Sequence, residues 1–231
     1  MEILNDLTKC DFYYYLVSSN NAYLIFQFLQ LDNDNICIED ALVRRQKIIV
    51  DNKIIRYYNT NLKEQYNIIN NLKLNKNINL QQKLIEYSKL GYLLVVQYLV
   101  SKGANIHAGN DQALQLAAQN GHLPVVQYLV SIGANIHAGN DYALRWAARN
   151  GHLPVVQYLV SIGANIHAED LALQSALRLA SENGHLEVVQ YLVSIGANIH
   201  AVDDQALRWA AENGHLEVVQ YLLNNGADPD V

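Results

Sequence analysis

The residues best suited to chemistry in this chain are its eight histidines, which recur at fixed places in the sequence. Four follow a glycine, at His122, His152, His185 and His215. The other four stand third in the tetrapeptide NIHA, at His107, His137, His167 and His200. Imidazole is a common metal ligand and the most frequent general acid or base, so histidines in register raise two hypotheses, a metal site and an acid–base site.

The spacing of the histidines does not fit a metal site. Helices packed side by side lie about 8 to 10 Å apart, whereas the ligand atoms of zinc lie about 2 Å from the ion. No serine stands with a histidine and an acid in a nucleophile motif, and no glycine-rich loop follows a strand pattern. Equivalent side chains spread along a chain suit a scaffold better than a catalytic constellation. We therefore predict no metal, no cofactor and no enzymatic activity.

The histidines belong to a longer internal repeat. Residues 120–138 and 150–168 are identical, NGHLPVVQYLVSIGANIHA. Division after each NIHA gives five units, 79–108, 109–138, 139–168, 169–201 and 202–231. Four units have 30 residues and the unit 169–201 has 33. A fixed period of this length predicts stacked supersecondary units.

Each unit carries the apolar pattern of two helices. In the unit 139–168 the spacing i, i+1, i+4, i+5 occurs twice, at Ala143, Leu144, Ala147 and Ala148 and again at Val155, Val156, Leu159 and Val160. That spacing lines one face of a helix. We expect Asp141 to cap the first helix through its carboxylate, and Pro154 fits the first turn of the second helix. Because one helix pair leaves an apolar face uncovered, a unit needs neighbours to fold.

Two short motifs recur in register with these helices. Gly-His occurs at Gly121-His122, Gly151-His152, Gly184-His185 and Gly214-His215. Gly-Ala followed by Asn or Asp occurs at Gly103-Ala104-Asn105, Gly133-Ala134-Asn135, Gly163-Ala164-Asn165, Gly196-Ala197-Asn198 and Gly226-Ala227-Asp228. Residues 79–231 resemble the ankyrin repeat at these positions. The resemblance implies an all-α solenoid of stacked helix-turn-helix units.

The chain departs from the ankyrin pattern in two ways. The family usually starts its first helix with Thr-Pro-Leu-His, whereas this chain has sequences such as Tyr142-Ala143-Leu144-Arg145, so the Thr and His hydrogen-bonding partners are absent. The family period is about 33 residues, which only the unit 169–201 keeps. We therefore predict shortened inter-repeat hairpins, with one longer finger around Glu169 to Gln174.

Residues 1–78 differ in composition and show no clean repeat. The segment AYLIFQFLQLDNDNI, residues 22–36, can be laid over YLLVVQYLVSKGANI, residues 92–106. We interpret residues 1–78 as a degenerate ankyrin-like N-terminal capping region, since arrays of this kind need capped ends. A separate small helical module stays open as the alternative.

Charge and apolar content exclude several classes of partner. Residues 109–231 contain four basic and twelve acidic residues, a net charge of −8, while residues 1–108 carry +2. Nucleic-acid binding draws on Lys and Arg, so we predict no nucleic-acid partner. No apolar run approaches the roughly 18 residues of a membrane span, so we predict no membrane partner either. The two cysteines, Cys10 and Cys37, fit a reducing compartment, and we expect an intracellular protein.

Near-identical units can differ in specificity only where they vary, and they vary most in the first helices. The resemblance implies that first helices line a concave binding face. The candidate partner-binding residues are Tyr142, Arg145, Trp146, Arg149, Arg178, Glu182, Arg208, Trp209 and Glu212. Arg, Trp and Tyr are enriched at interface hot spots. For Trp146 and Trp209, which alternate with leucine, filling the core between units is the alternative.

The ankyrin resemblance implies a protein–protein interaction module, which we expect to act as a monomer. The Asn/Ile/Tyr-rich first third and the nearly identical repeats resemble the ankyrin proteins of giant amoeba-infecting, mimivirus-like DNA viruses. That likeness favours a viral protein that binds a host or viral protein, located in the host cytoplasm rather than the nucleus or the virion. Two alternatives stay open: a substrate-recruiting adaptor of a ubiquitin ligase, and a self-associating virion component.

Overall fold

The structure is a computed structural model that describes residues 64–74, 78–163 and 171–229. The chain divides into two compact units, Met1–Asn75 and Lys76–Val231. In the first unit the described residues form one helix, α1, at residues 64–74. The ankyrin-like segment predicted at residues 22–36 lies outside the described residues, as do both cysteines.

The second unit is a stack of helix pairs. Its helices are α2 (Leu80–Lys89), α3 (Leu93–Ser101), α4 (Ala108–Gln119), α5 (Leu123–Ser131), α6 (Ala138–Arg149), α7 (Leu153–Ser161), α8 (Leu171–Glu182), α9 (Leu186–Ser194), α10 (Ala201–Glu212) and α11 (Leu216–Asn224). The described residues contain no strand, so the predicted all-α solenoid is confirmed. None of these helices has the length and apolar character needed to cross a membrane.

The first helices of the pairs, α2, α4, α6, α8 and α10, form one row and pack closely against each other. The second helices form another row whose neighbours contact each other much less. Small residues allow the close approach, since Ala147 and Ala148 of α6 are fully buried. Leu144 and Leu159 fill the space between the rows and are also fully buried. The first-helix row is therefore the more tightly packed side of the stack.

The connections between pairs are shortened by a left-handed turn. Within the bounds of α4, Gly109, Asn110 and Asp111 have φ of 64°, 60° and 60°, and residues 139–141 of α6 and 202–204 of α10 repeat this conformation. Gly, Asn and Asp are the residues that enter the left-handed region most readily. Three such residues lead directly into the right-handed part of the next first helix, and the described residues form no strand between the pairs, which fits the short period of these units.

The prediction of a longer finger around Glu169 to Gln174 is wrong for residues Leu171 to Gln174. Residues from Leu171 onward belong to α8, which therefore starts a full turn earlier than the right-handed part of α6. The extra turn buries Ala172 and Leu173, and this apolar burial favours helix over an exposed loop. Glu169 and Asp170 lie outside the described residues.

Candidate functional site

The Gly-His histidines bind neighbouring units together. In each case Nε2 hydrogen-bonds a backbone carbonyl at the end of the preceding first helix. The pairs are His122 with Lys89 at 2.9 Å, His152 with Gln119 at 3.1 Å, His185 with Arg149 at 2.8 Å and His215 with Glu182 at 2.9 Å. A carbonyl can only accept, so Nε2 carries the proton and donates. These histidines are therefore structural.

The glycine of one unit makes room for the histidine of the next. Gly121 has φ of 75°, and a Cβ placed on it would lie 2.5 Å from Nδ1 of His152. The same contact repeats at Gly91, Gly151 and Gly184. The recurring glycine therefore serves two needs at once: a left-handed backbone, and a surface on which the next imidazole lies.

The NIHA histidines pair with buried aspartates that stand four residues later. Nδ1 of His107, His137 and His200 lies 3.0, 2.8 and 3.1 Å from Oδ1 of Asp111, Asp141 and Asp204. These aspartates are only 4%, 3% and 3% exposed. The cap expected from Asp141 is thus replaced by a contact with His137, because its left-handed backbone places the carboxylate beside that ring. His167 lies outside the described residues.

The buried aspartates also reach the following unit. Oδ1 of Asp111 accepts the backbone N–H of Asn135 at 2.9 Å, and Oδ1 of Asp204 accepts that of Asp228 at 3.2 Å. This contact supplies a link between units where the Thr-Pro-Leu-His residues are absent. Sequence reasoning missed this role, although an aspartate stands four residues after the histidine in three of the four NIHA motifs and was a signal for it.

No set of side chains in the described residues is arranged to hold a metal. Among the described residues, no three His, Cys, Asp or Glu side chains surround one point. The seven described histidines all hydrogen-bond within the stack. Their chemistry is therefore used in joining units.

The histidine contacts predict how stability depends on pH. Burial lowers the pKa of His122, with a smaller opposing effect from its hydrogen bond to Lys89 and a further lowering by the charge of His152. Burial likewise lowers the pKa of His152. With the folded pKa below the unfolded value of 6.5, the unfolded chain binds more protons as pH falls through 6.5, so the free energy of unfolding decreases.

We expect the urea midpoint of the wild-type chain to fall between pH 7 and pH 5, and the double variant His122→Gln/His152→Gln to show a smaller fall. Glutamine keeps an N–H donor but does not titrate. Urea unfolding at both pH values, followed by circular dichroism, measures the two slopes. Equal slopes for the two proteins would show that these imidazoles are not the groups responsible.

The candidate partner-binding residues on α6 form one stacked cluster. The rings of Tyr142 and Trp146 stack with centroids 5.1 Å apart. The guanidinium of Arg149 lies 4.5 Å from the Trp146 ring centroid, and that of Arg145 lies 6.0 Å from the Tyr142 centroid. All four side chains are half-buried. Trp146 is thus neither a fully buried core residue nor a free surface residue.

A second cluster spans α8 and α10. The guanidinium of Arg178 lies 5.2 Å from the Trp209 ring centroid, and its Nη1 lies 3.2 Å from Oε2 of Glu182. These three side chains are half-buried, whereas Arg208 and Glu212 are exposed. Nη2 of Arg208 donates to the backbone carbonyl of Val202 at 3.1 Å. The structure therefore brings Arg178, Glu182 and Trp209 together. It places Arg208 apart from them, against the left-handed turn at residues 202–204.

Arg145 also stabilises the left-handed turn at residues 139–141 of its own unit. Its Nε donates to the carbonyl of Asn140 and its Nη2 to that of Gly139, both at 2.9 Å. Gln115 makes the equivalent contact with Asn110 at 2.7 Å. Arg145, which we predicted to bind a partner, therefore also has a structural role, because the carbonyls of the turn need hydrogen-bond donors.

The family comparison agrees with this architecture. The family model for ankyrin repeats, which holds three repeat copies, matches residues 62–140, 84–170 and 144–231. No curated protein matches the chain. Ankyrin repeats are in general protein–protein interaction modules, and enzymatic activity is not typical of them. From its matched repeats and its stacked helix pairs, the chain belongs to the ankyrin-repeat family.

Proposed function

We propose that this chain binds another protein through the inner face formed by its first helices. The inner face comprises the nine candidate residues on α6, α8 and α10: Tyr142, Arg145, Trp146, Arg149, Arg178, Glu182, Arg208, Trp209 and Glu212. The observation that carries the proposal is the stacked cluster of Tyr142, Trp146 and Arg149, which presents flat aromatic and guanidinium surfaces on the row of helices that varies between units.

These stacked side chains suit binding because they are already held in place. A partner that contacts free arginines must immobilise them, which costs roughly 0.5 to 1.5 kcal/mol per side chain. Arg149 is held over Trp146, and Arg178 is held over Trp209. Aromatic rings add large contact area with little loss of conformational freedom on binding. The inner face therefore favours protein contact at low entropic cost.

The proposed partner is a protein, which the chain binds as a monomer. The net charge of −8 over residues 109–231 opposes the approach of a nucleic acid. We place the chain in a viral setting, where a host or viral protein in the host cytoplasm would be the partner, because the composition of its first third and its near-identical repeats resemble viral ankyrin proteins.

A helix exchange tests the inner face with residues that the chain itself supplies. The variant Tyr142→Gln/Arg145→Gln/Trp146→Leu/Arg149→Gln converts the first helix of the unit 139–168 into that of the unit 109–138. We expect it to fold like the wild type and to lose at least tenfold in affinity for a partner captured from lysate, because two or more anchors are removed together. Biolayer interferometry with the captured partner measures the affinity.

The matched control is Gln127→Ala/Gln157→Ala, which changes two exposed side chains on second helices. This variant is expected to bind the partner as the wild type does. Unchanged partner binding by the helix-exchange variant, with loss in the control, would place the binding surface on the second helices instead.

A further inference from the structure

Helix α6 carries positive charge that its own chain does not neutralise. Of the first helices α4, α6, α8 and α10, only α6 has two arginines, Arg145 and Arg149, and both are half-buried. Among the described residues, no carboxylate forms an ion pair with either of them. The arginine of α8 differs, because Nη1 of Arg178 lies 3.2 Å from Oε2 of Glu182. The two guanidiniums of α6 are therefore the unpaired charges at the centre of the inner face.

The guanidinium of Arg149 is held in place without a hydrogen bond. It lies 4.5 Å from the ring centroid of Trp146, and no described residue accepts a hydrogen bond from its N–H groups. Arg145, in contrast, donates to the carbonyls of Gly139 and Asn140. A guanidinium has five N–H donors, and a half-buried charge needs acceptors to replace the hydration that it loses. The acceptor for Arg149 must therefore be water or a group of the partner.

A carboxylate is the acceptor that best matches this guanidinium. Arginine and carboxylate form two parallel N–H···O bonds, which are shorter than neutral hydrogen bonds and roughly twice as strong. A neutral acceptor, such as a backbone carbonyl, would leave the charge of Arg149 without a counter-charge. An Asp or Glu side chain of the partner satisfies both the donors and the charge.

The surroundings of Arg149 supply no competing carboxylate among the described residues. On the α4 side the residue at the same register is the neutral Gln119. On the α8 side the carboxylate of Glu182 is paired with Arg178. The carboxylate of Asp141, at the start of α6, is buried and contacts a NIHA histidine. A partner's carboxylate would therefore be attracted to Arg149 without breaking an ion pair of the stack.

The rest of the chain limits the partner segment to one acidic side chain. Residues 109–231 carry a net charge of −8, and α10 exposes Asp203 and Glu212. Exposed charges more than about 8 Å apart are largely screened at physiological ionic strength, so one carboxylate in contact with Arg149 is governed by that guanidinium. A run of acidic residues would also approach the carboxylates of α10. The half-buried rings of Tyr142 and Trp146 suit an apolar neighbour of the carboxylate instead.

We propose that the inner face selects an acidic side chain of its protein partner at Arg149. The guanidinium, held on Trp146, binds the carboxylate of one Asp or Glu, and an apolar residue beside that carboxylate packs on the rings of Tyr142 and Trp146. This assignment rests on the proposed function, because it names the chemistry that the same binding face selects.

The test selects peptides on the full chain from a random-peptide phage library and titrates fluorescein-labelled synthetic copies by fluorescence anisotropy. We expect the selected peptides to carry one Asp or Glu beside an apolar residue. The variant Arg149→Gln introduces the residue that α4 has at the same register, so we expect it to fold like the wild type, as circular dichroism can verify. It is expected to weaken peptide binding about tenfold, or about 1.4 kcal/mol, because the charge-assisted pair is lost.

A double-mutant cycle between the peptide and the protein identifies the pair. Replacement of the peptide's Asp or Glu by Asn or Gln is expected to weaken binding to the wild type about tenfold. The same replacement is expected to have no further effect on binding to Arg149→Gln, since the contact is already absent. The control variant is Lys102→Gln, which removes another cation that lies over a ring, 5.5 Å from the Tyr98 centroid and outside the first helices. Its affinity for the peptides is expected to equal that of the wild type.

Three results would overturn the assignment: no selected peptides, selected peptides without an acidic residue, and an amide replacement that costs the same in the wild type and in Arg149→Gln. Binding that tightens more than tenfold when phosphoserine replaces the acidic residue would assign the site to phosphate instead. If the peptides lose binding in the helix-exchange variant of α6 but not in Arg149→Gln, the proposed function stands and the role of Arg149 does not. Equal binding by the helix-exchange variant and the wild type would contradict the proposed function itself.

Discussion

Asp111→Ala is expected to lower the free energy of unfolding by about 2 to 4 kcal/mol, whereas Asp111→Asn lowers it by about 1 kcal/mol or less. The carboxylate is 4% exposed and accepts from two donors, Nδ1 of His107 and the backbone N–H of Asn135. Removal of the acceptor breaks both hydrogen bonds and with them the link from Asp111 to the backbone N–H of Asn135.

The backbone at this position adds to the cost of alanine. Asp111 has φ of 60°, a region that Asn and Asp tolerate and Ala does not. Asparagine keeps an amide oxygen that can accept both hydrogen bonds, so it isolates the loss of charge from the loss of the acceptor. Urea unfolding of both variants, followed by circular dichroism, gives the comparison. Equal stability for the two variants would mean that the link from Asp111 to the next unit contributes nothing.

Gly121→Ala is expected to lower the free energy of unfolding by about 3 to 4 kcal/mol, against about 1 to 2 kcal/mol for Gly214→Ala. Both glycines have φ of 75°, so both substitutions introduce the same backbone strain. A Cβ at Gly121 would lie 2.5 Å from Nδ1 of His152, whereas nothing lies within 4 Å of one at Gly214. The difference between the two variants therefore measures the contact with the imidazole.

A double-mutant cycle identifies that contact directly. His152 is held by its hydrogen bond to the Gln119 carbonyl at 3.1 Å, so the ring must break this bond to avoid the new methyl group. In the background His152→Ala, the cost of Gly121→Ala is expected to fall to that of Gly214→Ala. Chemical denaturation of the four proteins supplies the cycle. If the losses of unfolding free energy caused by Gly121→Ala and His152→Ala simply add in the double variant, Gly121 is needed for its backbone conformation alone.

The architecture follows from the sequence because its signal is the period of the chain itself. Apolar residues that recur at helical spacing, as at Ala147 and Ala148, predict both helices of a unit, and the fixed period predicts that units stack. Each prediction depends on residues close together in the chain. The fold class was therefore predicted correctly, including the shortened connections.

The connections themselves were harder to predict, because their conformation depends on contacts with other units. Asp141 was expected to cap its own helix, but its carboxylate contacts His137. At the equivalent position of the preceding unit, the carboxylate of Asp111 accepts a hydrogen bond from Asn135, 24 residues away. Leu171 to Gln174 resemble a loop insertion by length alone, and the burial of Leu173 makes them helical. Sequence spacing does not contain these distant partners.

The candidate site was predicted in part for the same reason. The variable residues of α6 lie together, since positions 142, 145, 146 and 149 share one face of a helix. The contact of Arg178 with Trp209 joins two units, and the contact of Arg145 with its own turn uses a left-handed backbone. Neither could be anticipated from a helical wheel. The left-handed backbone of Val202 was likewise visible only once the backbone angles were known.

Site-specific photo-crosslinking tests most directly whether the first helices form the binding face. A benzoylphenylalanine is placed at Tyr142 of α6 in one protein and at the exposed Gln157 of α7 in another, and each is irradiated with the captured partner. We predict a crosslinked product for position 142 and none for position 157. Crosslinking at position 157 alone would contradict the proposal and assign partner binding to the second helices.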